Sequence, residues 1–287
     1  MALIVQKYGG TSVANTDKLV NVANIVQNHT IENKVIVVLS AMAGYTNQMQ
    51  DYINEIQSDY RLENDLMLTS GENITIAILS AILKQRKIKC KPLLGWQVPI
   101  ITDSEHQKAK ILYIDKKRIN AFLKDNDVII IAGFQGIDLD GNITSLGRGG
   151  SDTTAVAIAS SVNADRCDIY TDVDGVYTTD PNLETKAKKI NKLAFEEMLE
   201  MSSTGAKVLH TRSVELAMKN NLTLQVLSSI TKESGTLVVD ENKLIEKEIV
   251  SGVSYSNNES KLTLSGIADK PGISATIFGL LANNNIN

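Results

Sequence analysis

Short runs of β-branched and aliphatic residues alternate with segments of helical period along most of this chain, and that alternation limits its fold more than any other feature. Residues 2–6 read as a buried strand. After a Gly-Gly turn, Leu19, Val22, Ala23 and Val26 recur at i, i+3, i+4 and i+7, which is one face of a helix. Residues 35–39 form a second apolar run. Ile74, Ala77, Ile78 and Ala81 line another helix, and residues 128–132 make a further strand. Strands that are apolar on both faces need cover on both. The pattern therefore predicts an α/β fold, a three-layer αβα sandwich with a mostly parallel central sheet.

Two stretches interrupt the alternation. Residues 96–113 alternate only loosely, and Asp140-Gly141 is a hairpin signal between short strands. Both are expected at one end of the sheet, where open α/β folds carry their ligands. Trp96 reads as packing there, with a ligand contact as the alternative. Residues 1–240 are expected to form one large domain, with a charged linker at 241–248 and a small domain at 249–287. In the last, residues 261–267 alternate like a strand, Asp269-Lys270-Pro271-Gly272 is a turn and residues 273–282 look helical. One strand and one helix do not cover each other's apolar faces, so this small domain reads as cut off partway.

The 29 Lys and Arg residues are scattered and the formal net charge is −4, so no basic face points to a nucleic acid or a membrane surface. The two cysteines, Cys90 and Cys167, lack metal-ligand spacing and open apolar runs. They are expected to be buried, inert and in a reducing cytoplasm. No basic region precedes the first strand, so no signal peptide is expected. The longest wholly apolar run, residues 128–134, falls well short of the ~20 residues of a membrane span.

Five motifs could carry chemistry. Lys7-Tyr8-Gly9-Gly10-Thr11-Ser12 joins a strand to a helix: its glycines allow close approach of phosphate oxygens, and Lys7 supplies a point charge. It lacks the spacing of a Walker A loop, and a plain tight turn is the alternative. Gly147-Arg148-Gly149-Gly150-Ser151-Asp152 opens an Ala-rich helix and sets a carboxylate-binding fork beside an anion site. Asp152 could instead be only the helix cap. Thr69-Ser70-Gly71-Glu72 places an acid in a first helical turn, either for the dipole or to grip an ammonium group. Ser40 and Thr46 follow the second strand at the same sheet edge. The stretch from Thr171 and Asp172 through Tyr177 to Asp180 reads as strand, Asp-Gly turn and loop. Lys207 and His210 lie near a later helix start; Lys207 alone reads as a surface residue, and His210 is assigned no role.

Taken in order, these motifs resemble the amino-acid kinase family, and more closely its aspartokinase branch, over about residues 3–240. The tail from about residue 249 resembles the opening of an ACT domain, a ligand-sensing module. The resemblance implies ATP-dependent phosphorylation of a small amino acid's side-chain carboxylate, most closely that of aspartate. In that assignment Lys7 and Lys207 stabilise the phosphates, and Gly9, Gly10, Gly149 and Gly150 cradle them. Arg148 binds the substrate α-carboxylate, and Ser40, Thr46, Glu72 and Ser151 line the acceptor pocket. Asp152 positions Lys7, and Thr171, Asp172, Tyr177 and Asp180 surround the nucleotide. The resemblance also implies Mg²⁺ held mainly by phosphates and water, with no protein metal ligands, and a homodimer. Asn182 stands where the family often has arginine, and Thr211 where proline is common.

A carboxylate nucleophile with an ordinary pKa near ~4 is ionised at neutral pH and needs no general base. Transfer then rests on positioning and electrostatics, which lysines, glycine N–H groups and Mg²⁺ provide. Rival readings are a relative acting on glutamate, acetylglutamate, carbamate or a nucleoside monophosphate, and a non-catalytic amino-acid-sensing subunit. An acylated amine needs no ammonium partner such as Glu72, and a nucleotide acceptor asks for more cations. The full set of Lys7, Lys207, Arg148 and Asp152 argues against a non-catalytic role.

Overall fold

The computed structural model describes residues 1–206, 208–231, 233–244, 250–255 and 272–283. Its contacts divide the chain into two units, Met1–Tyr255 and Ser256–Asn287. In the first, β1 (Ala2–Tyr8) leads through a 3-10 turn into α1 (Thr16–His29), and β2 (Asn33–Leu39) is followed by α2 (Tyr45–Glu55), α3 (Arg61–Leu68) and α4 (Ser70–Gln85). Next come β3 (Cys90–Leu93), β4 (Ile100–Thr102), β5 (Ile111–Ile114), α5 (Lys116–Asp125), β6 (Val128–Ala132), β7 (Gln135–Ile137) and β8 (Ile143–Ser145). The unit continues with α6 (Gly150–Val162), β9 (Arg166–Thr171), β10 (Lys192–Ala194), α7 (Phe195–Ser203), α8 (Thr211–Lys219), β11 (Leu224–Ser228) and β12 (Thr236–Val239).

The main sheet has eight strands in the order β10-β12-β11-β9-β1-β2-β6-β3, all paired in parallel except β11 with β12. Successive side chains on a strand point to opposite faces, so each apolar run feeds two cores. Val35, Val37 and Leu39 join Leu19, Val22, Val26, Leu79 and Leu83 beneath α1 and α4. Ile36 and Val38 join Ile119, Val156, Ile158 and Val214 beneath α5, α6 and α8. Helices thus cover both faces, the three-layer arrangement expected of a buried parallel sheet. Each fully buried Val, Leu or Ile contributes about 1.5–3 kcal/mol, spread over two cores that share one sheet.

The helix over residues 70–85 is where periodicity misled. Its buried residues are Gly71, Glu72, Thr75, Ile76, Leu79, Ser80 and Leu83, whereas Ile74 is 42% exposed. This helix is apolar nearly all round, so the period alone left its core face undetermined. Together α3 and α4 make a 25-residue helical run, Arg61–Gln85, whose most apolar window has mean hydropathy 1.6 and is half buried inside the protein.

The two interruptions form one element. They pair into a second sheet, β5-β4-β7-β8, with β7 and β8 a hairpin turning at Asp140-Gly141. Trp96 is not packed there as expected: it is 48% exposed beside Lys91, Pro99 and Phe122. Cys90 and Cys167 are buried free thiols, and burial pushes both thiol pKa values up.

The first unit also extends beyond the expected boundaries at 240 and 249. Val253 donates its N–H to Thr178 O (2.7 Å), Ser251 Oγ bonds Glu197, and Ser254 Oγ bonds Thr204. Residues 250–255 are therefore stitched to this unit rather than to the next. In the second unit, α9 (Ile273–Asn283) matches the expected helix. The strand expected at 261–267 and most of the turn before α9 lie outside the described residues.

Candidate active site

The C-terminal ends of the neighbouring strands β1, β2 and β6 open onto one cleft, as the topology of open α/β sheets dictates. The cleft holds about 420 Å³ and is lined by Lys7, Gly10, Ser40, Thr46, Glu72, Arg148, Gly149, Gly150, Ser151 and Asp152. Residues from four of the five sequence motifs, or from turns beside them, therefore meet at a single place.

Lys7 is the next-to-last residue of β1, and its ammonium lies 2.5 Å from Asp152 Oδ1 in the first turn of α6. Both side chains are nearly buried, at 12% and 10% exposure. The N-cap of α6 is Gly149, so Asp152 is not the cap; it sits in the first helical turn and pairs with Lys7. Gly149 adopts φ +70°, and a Cβ there would meet the His210 ring at 2.1 Å, so only glycine fits.

Glu72, in the first turn of α4, is 2% exposed. Its Oε1 accepts the Ala41 N–H at 3.1 Å, while Oε2 has no hydrogen-bond partner. Burial raises its pKa to about 8, against the opposing effect of the backbone N–H groups of Glu72 itself and of Ala41. Such a carboxyl ionises readily only when a cation arrives, which suits an ammonium group. The helix end can come this close because residue 71 is glycine: a Cβ there would press on Ala41 Cβ at 2.6 Å and on Tyr45 at 2.7 Å.

The glycine expectation needs adjustment. Gly9 donates its N–H to Tyr170 O (3.2 Å), and Gly150 closes the turn on Gly147 O (2.9 Å). Their amides are engaged within the protein, so what these two provide is close approach and chain reversal. Gly9 also lies off the cleft lining, whereas Gly10 is on it.

Thr171, Asp172, Tyr177 and Asp180 are not in this cleft. They lie at and beyond the end of β9, which pairs with β1 on the side away from β2. The Tyr177 hydroxyl donates to Asp174 (3.0 Å), and Asp180 accepts the Asn182 N–H (2.9 Å). Lys207 lies outside the described residues. Its neighbour His210, given no role from sequence, lines the cleft against Gly149.

Phe134 also lines the cleft and was missed. Its φ is +67°, unusual for a bulky residue, and Leu146 N–H is bound to its carbonyl (2.9 Å). No composition or period signals such a conformation; only the adjacent Gly133 hints at a turn.

The chain matches the amino acid kinase family over residues 2–228 and belongs to that family. It is 48% identical over 289 residues to an aspartate kinase of Pseudomonas putida, covering all of this chain and 70% of that protein. Among solved structures it resembles aspartate kinase from Synechocystis (TM-score 0.74, 41% identity, 83% of this chain and 40% of that one). It also resembles E. coli aspartokinase III in complex with aspartate and ADP (TM-score 0.80, 28% identity, 99% of this chain and 75% of that one).

Proposed function

We propose that this protein transfers the γ-phosphoryl group of ATP to the β-carboxylate of L-aspartate, giving 4-phospho-L-aspartate and ADP. The observation that carries the reading is one cleft containing both the buried Lys7–Asp152 pair and the buried Glu72 carboxyl with an unpartnered Oε2. The first suits a transferring phosphate and the second an amino group. The similarity to aspartate kinases over the whole chain supports the same acceptor.

In the reaction the aspartate carboxylate oxygen bonds to γ-phosphorus as the bond to the β,γ-bridging oxygen breaks, and the electron pair leaves with ADP. The nucleophile is already an anion, so no base is required. Lys7 and Lys207 stabilise charge on the transferred group and the leaving phosphates. Asp152, paired with the Lys7 ammonium, holds it in line. Glu72 receives the substrate ammonium, Arg148 the α-carboxylate, and Ser40, Thr46 and Ser151 line the pocket between them. Gly10, Gly149 and their neighbours bring backbone close to the phosphates, and Thr171, Asp172, Tyr177 and Asp180 surround the nucleoside end.

Among the described residues no three His, Cys, Asp or Glu side chains converge as metal ligands. Mg²⁺ arriving on the nucleotide would neutralise phosphate charge there. The reading extends to a cytoplasmic homodimer acting on small molecules, with no nucleic-acid or membrane partner. Its product opens the route to lysine, threonine, methionine and diaminopimelate, and the second unit, from residue 256 on, belongs to an ACT module.

The direct test traps acyl phosphate with hydroxylamine from protein, Mg-ATP and aspartate, with glutamate, acetylglutamate and UMP compared by ADP release. Hydroxamate with aspartate alone is expected. Turnover only with another acceptor would overturn the substrate assignment.

A further inference from the structure

Arg148, the residue assigned to the acceptor's α-carboxylate, is exposed and has no ion-pair or hydrogen-bond partner among the described residues. Its position is therefore set by the backbone beneath it, and that backbone is held from outside the turn. Arg212, in the first turn of α8, donates from Nη1 to Leu146 O and from Nη2 to Ala109 O, both at 3.0 Å. The two acceptor residues are fixed at their other ends as well. Leu146 N–H bonds Phe134 O, and Ala109 N–H bonds Ser145 O, both at 2.9 Å. One planar guanidinium thus ties the root of the 147–150 turn to the neighbouring loop at 103–110.

The far side of that loop is anchored independently. Asp65, fully buried on α3, accepts from His106 Nδ1 (2.7 Å), from Gln107 N–H (3.1 Å) and from Ser145 Oγ (2.5 Å). Gln107 O then sits 2.9 Å from where a Cβ on Gly147 would be, so the loop lies flush against the first residue of the turn.

Arg212 makes no ion pair among the described residues, and it lies outside the cleft lining. It is partly buried, and burial lowers its pKa despite the nearby Asp103. A partly buried guanidinium bonded to two carbonyls is a costly way to stabilise a fold, because its hydrogen-bond partners are neutral and the nearby Asp103 only partly offsets its desolvation. Its planar fork matches two divergent carbonyls in a way that a lysine ammonium does not.

We propose that Arg212 is a positioning residue for the acceptor site, acting through the Leu146 carbonyl on Arg148. The proposal rests on the assignment of Arg148 made above. The test uses Arg212→Met and Arg212→Lys in the full chain, alone and combined with Arg148→Ala, with KM for aspartate and for ATP measured separately alongside Tm.

Arg212→Met is expected to raise the aspartate KM about tenfold while the ATP KM stays within about twofold. Arg212→Lys, which keeps the charge and donors but not the planar fork, should restore part of the loss. In the Arg148→Ala background the Met change should add nothing to the aspartate KM, because the residue it positions is gone. A fall in Tm with both KM values unchanged, an equal rise in both, or full additivity with Arg148→Ala would overturn the proposal. An unchanged aspartate KM in Arg148→Ala alone would remove the Arg148 assignment, and this proposal with it. A rise there without one in Arg212→Met would remove only the clamp. Should the Met variant fail to fold, Arg212→Lys is judged by the same criteria.

Discussion

The two edges of strand β1 lead to regions built in opposite ways. Toward β2 lies the proposed acceptor cleft, where Lys7, Asp152 and Glu72 are nearly or fully withdrawn from water, and where Gly71 and Gly149 occupy places a larger residue would clash with. Toward β9 lies the loop of the proposed nucleoside contacts, whose polar groups mostly satisfy one another. Lys189 bridges Asp174 (3.2 Å) and Glu233 (2.8 Å), and Tyr177 donates to Asp174. Buried charge is costly to desolvate and is coupled strongly to whatever enters beside it; charge shared with solvent is screened and replaceable. The first region is therefore suited to chemistry, the second to binding a molecule that is largely held by its shape.

This contrast can be broken most directly at Lys7. Lys7→Met should lower kcat about a thousandfold while changing the ATP KM only a few-fold. It should also destabilise the protein, because Asp152 is left as a buried unpaired carboxylate. Adding Asp152→Asn is expected to restore Tm without restoring turnover. Near-normal kcat in the single variant would mean that the buried pair is structural only.

Glu72 offers the next largest effect. A carboxyl whose folded pKa lies near 8 destabilises the unliganded protein increasingly as pH rises from the ordinary carboxylate range to about 8. The penalty amounts to something on the order of 3 kcal/mol at pH 7. Glu72→Gln should therefore gain Tm over the unaltered protein as pH goes from 5 to 8, while losing aspartate binding. A stability difference that is the same at both pH values would show that Glu72 ionises normally, and the contrast between the two edges would weaken.

The smallest effect is expected at the other edge. Lys189→Ala should cost less than about 1 kcal/mol in stability and leave kcat within about twofold. A loss of turnover comparable to that of Lys7→Met would erase the distinction between the regions.

The sheet and its helices were legible because apolar runs such as residues 35–39 are buried on both faces, a state few other folds impose. The site was legible where chemistry needs an unusual residue at an unusual place: the glycines around Arg148, and the acid after Ser70-Gly71. What escaped was whatever depends on non-local packing. The core face of α4 is chosen by the sheet it meets, since its sequence is apolar on both sides. Phe134 takes its left-handed backbone from the surrounding chain, and His210 earns its place only because Gly149 folds against it. The partnership of Arg212 with two carbonyls is invisible for the same reason, as backbone acceptors carry no residue code.

The Lys7–Asp152 pair joins the first strand to a helix that begins some 145 positions later. During synthesis Asp152 follows Lys7 by about 7–30 s at ordinary rates of elongation. Until then the central strand of the sheet carries an uncompensated ammonium, which resists burial. Burying the Lys7 ammonium before α6 exists would leave it without its carboxylate, so completion of this pair is tied to completion of the fold around it.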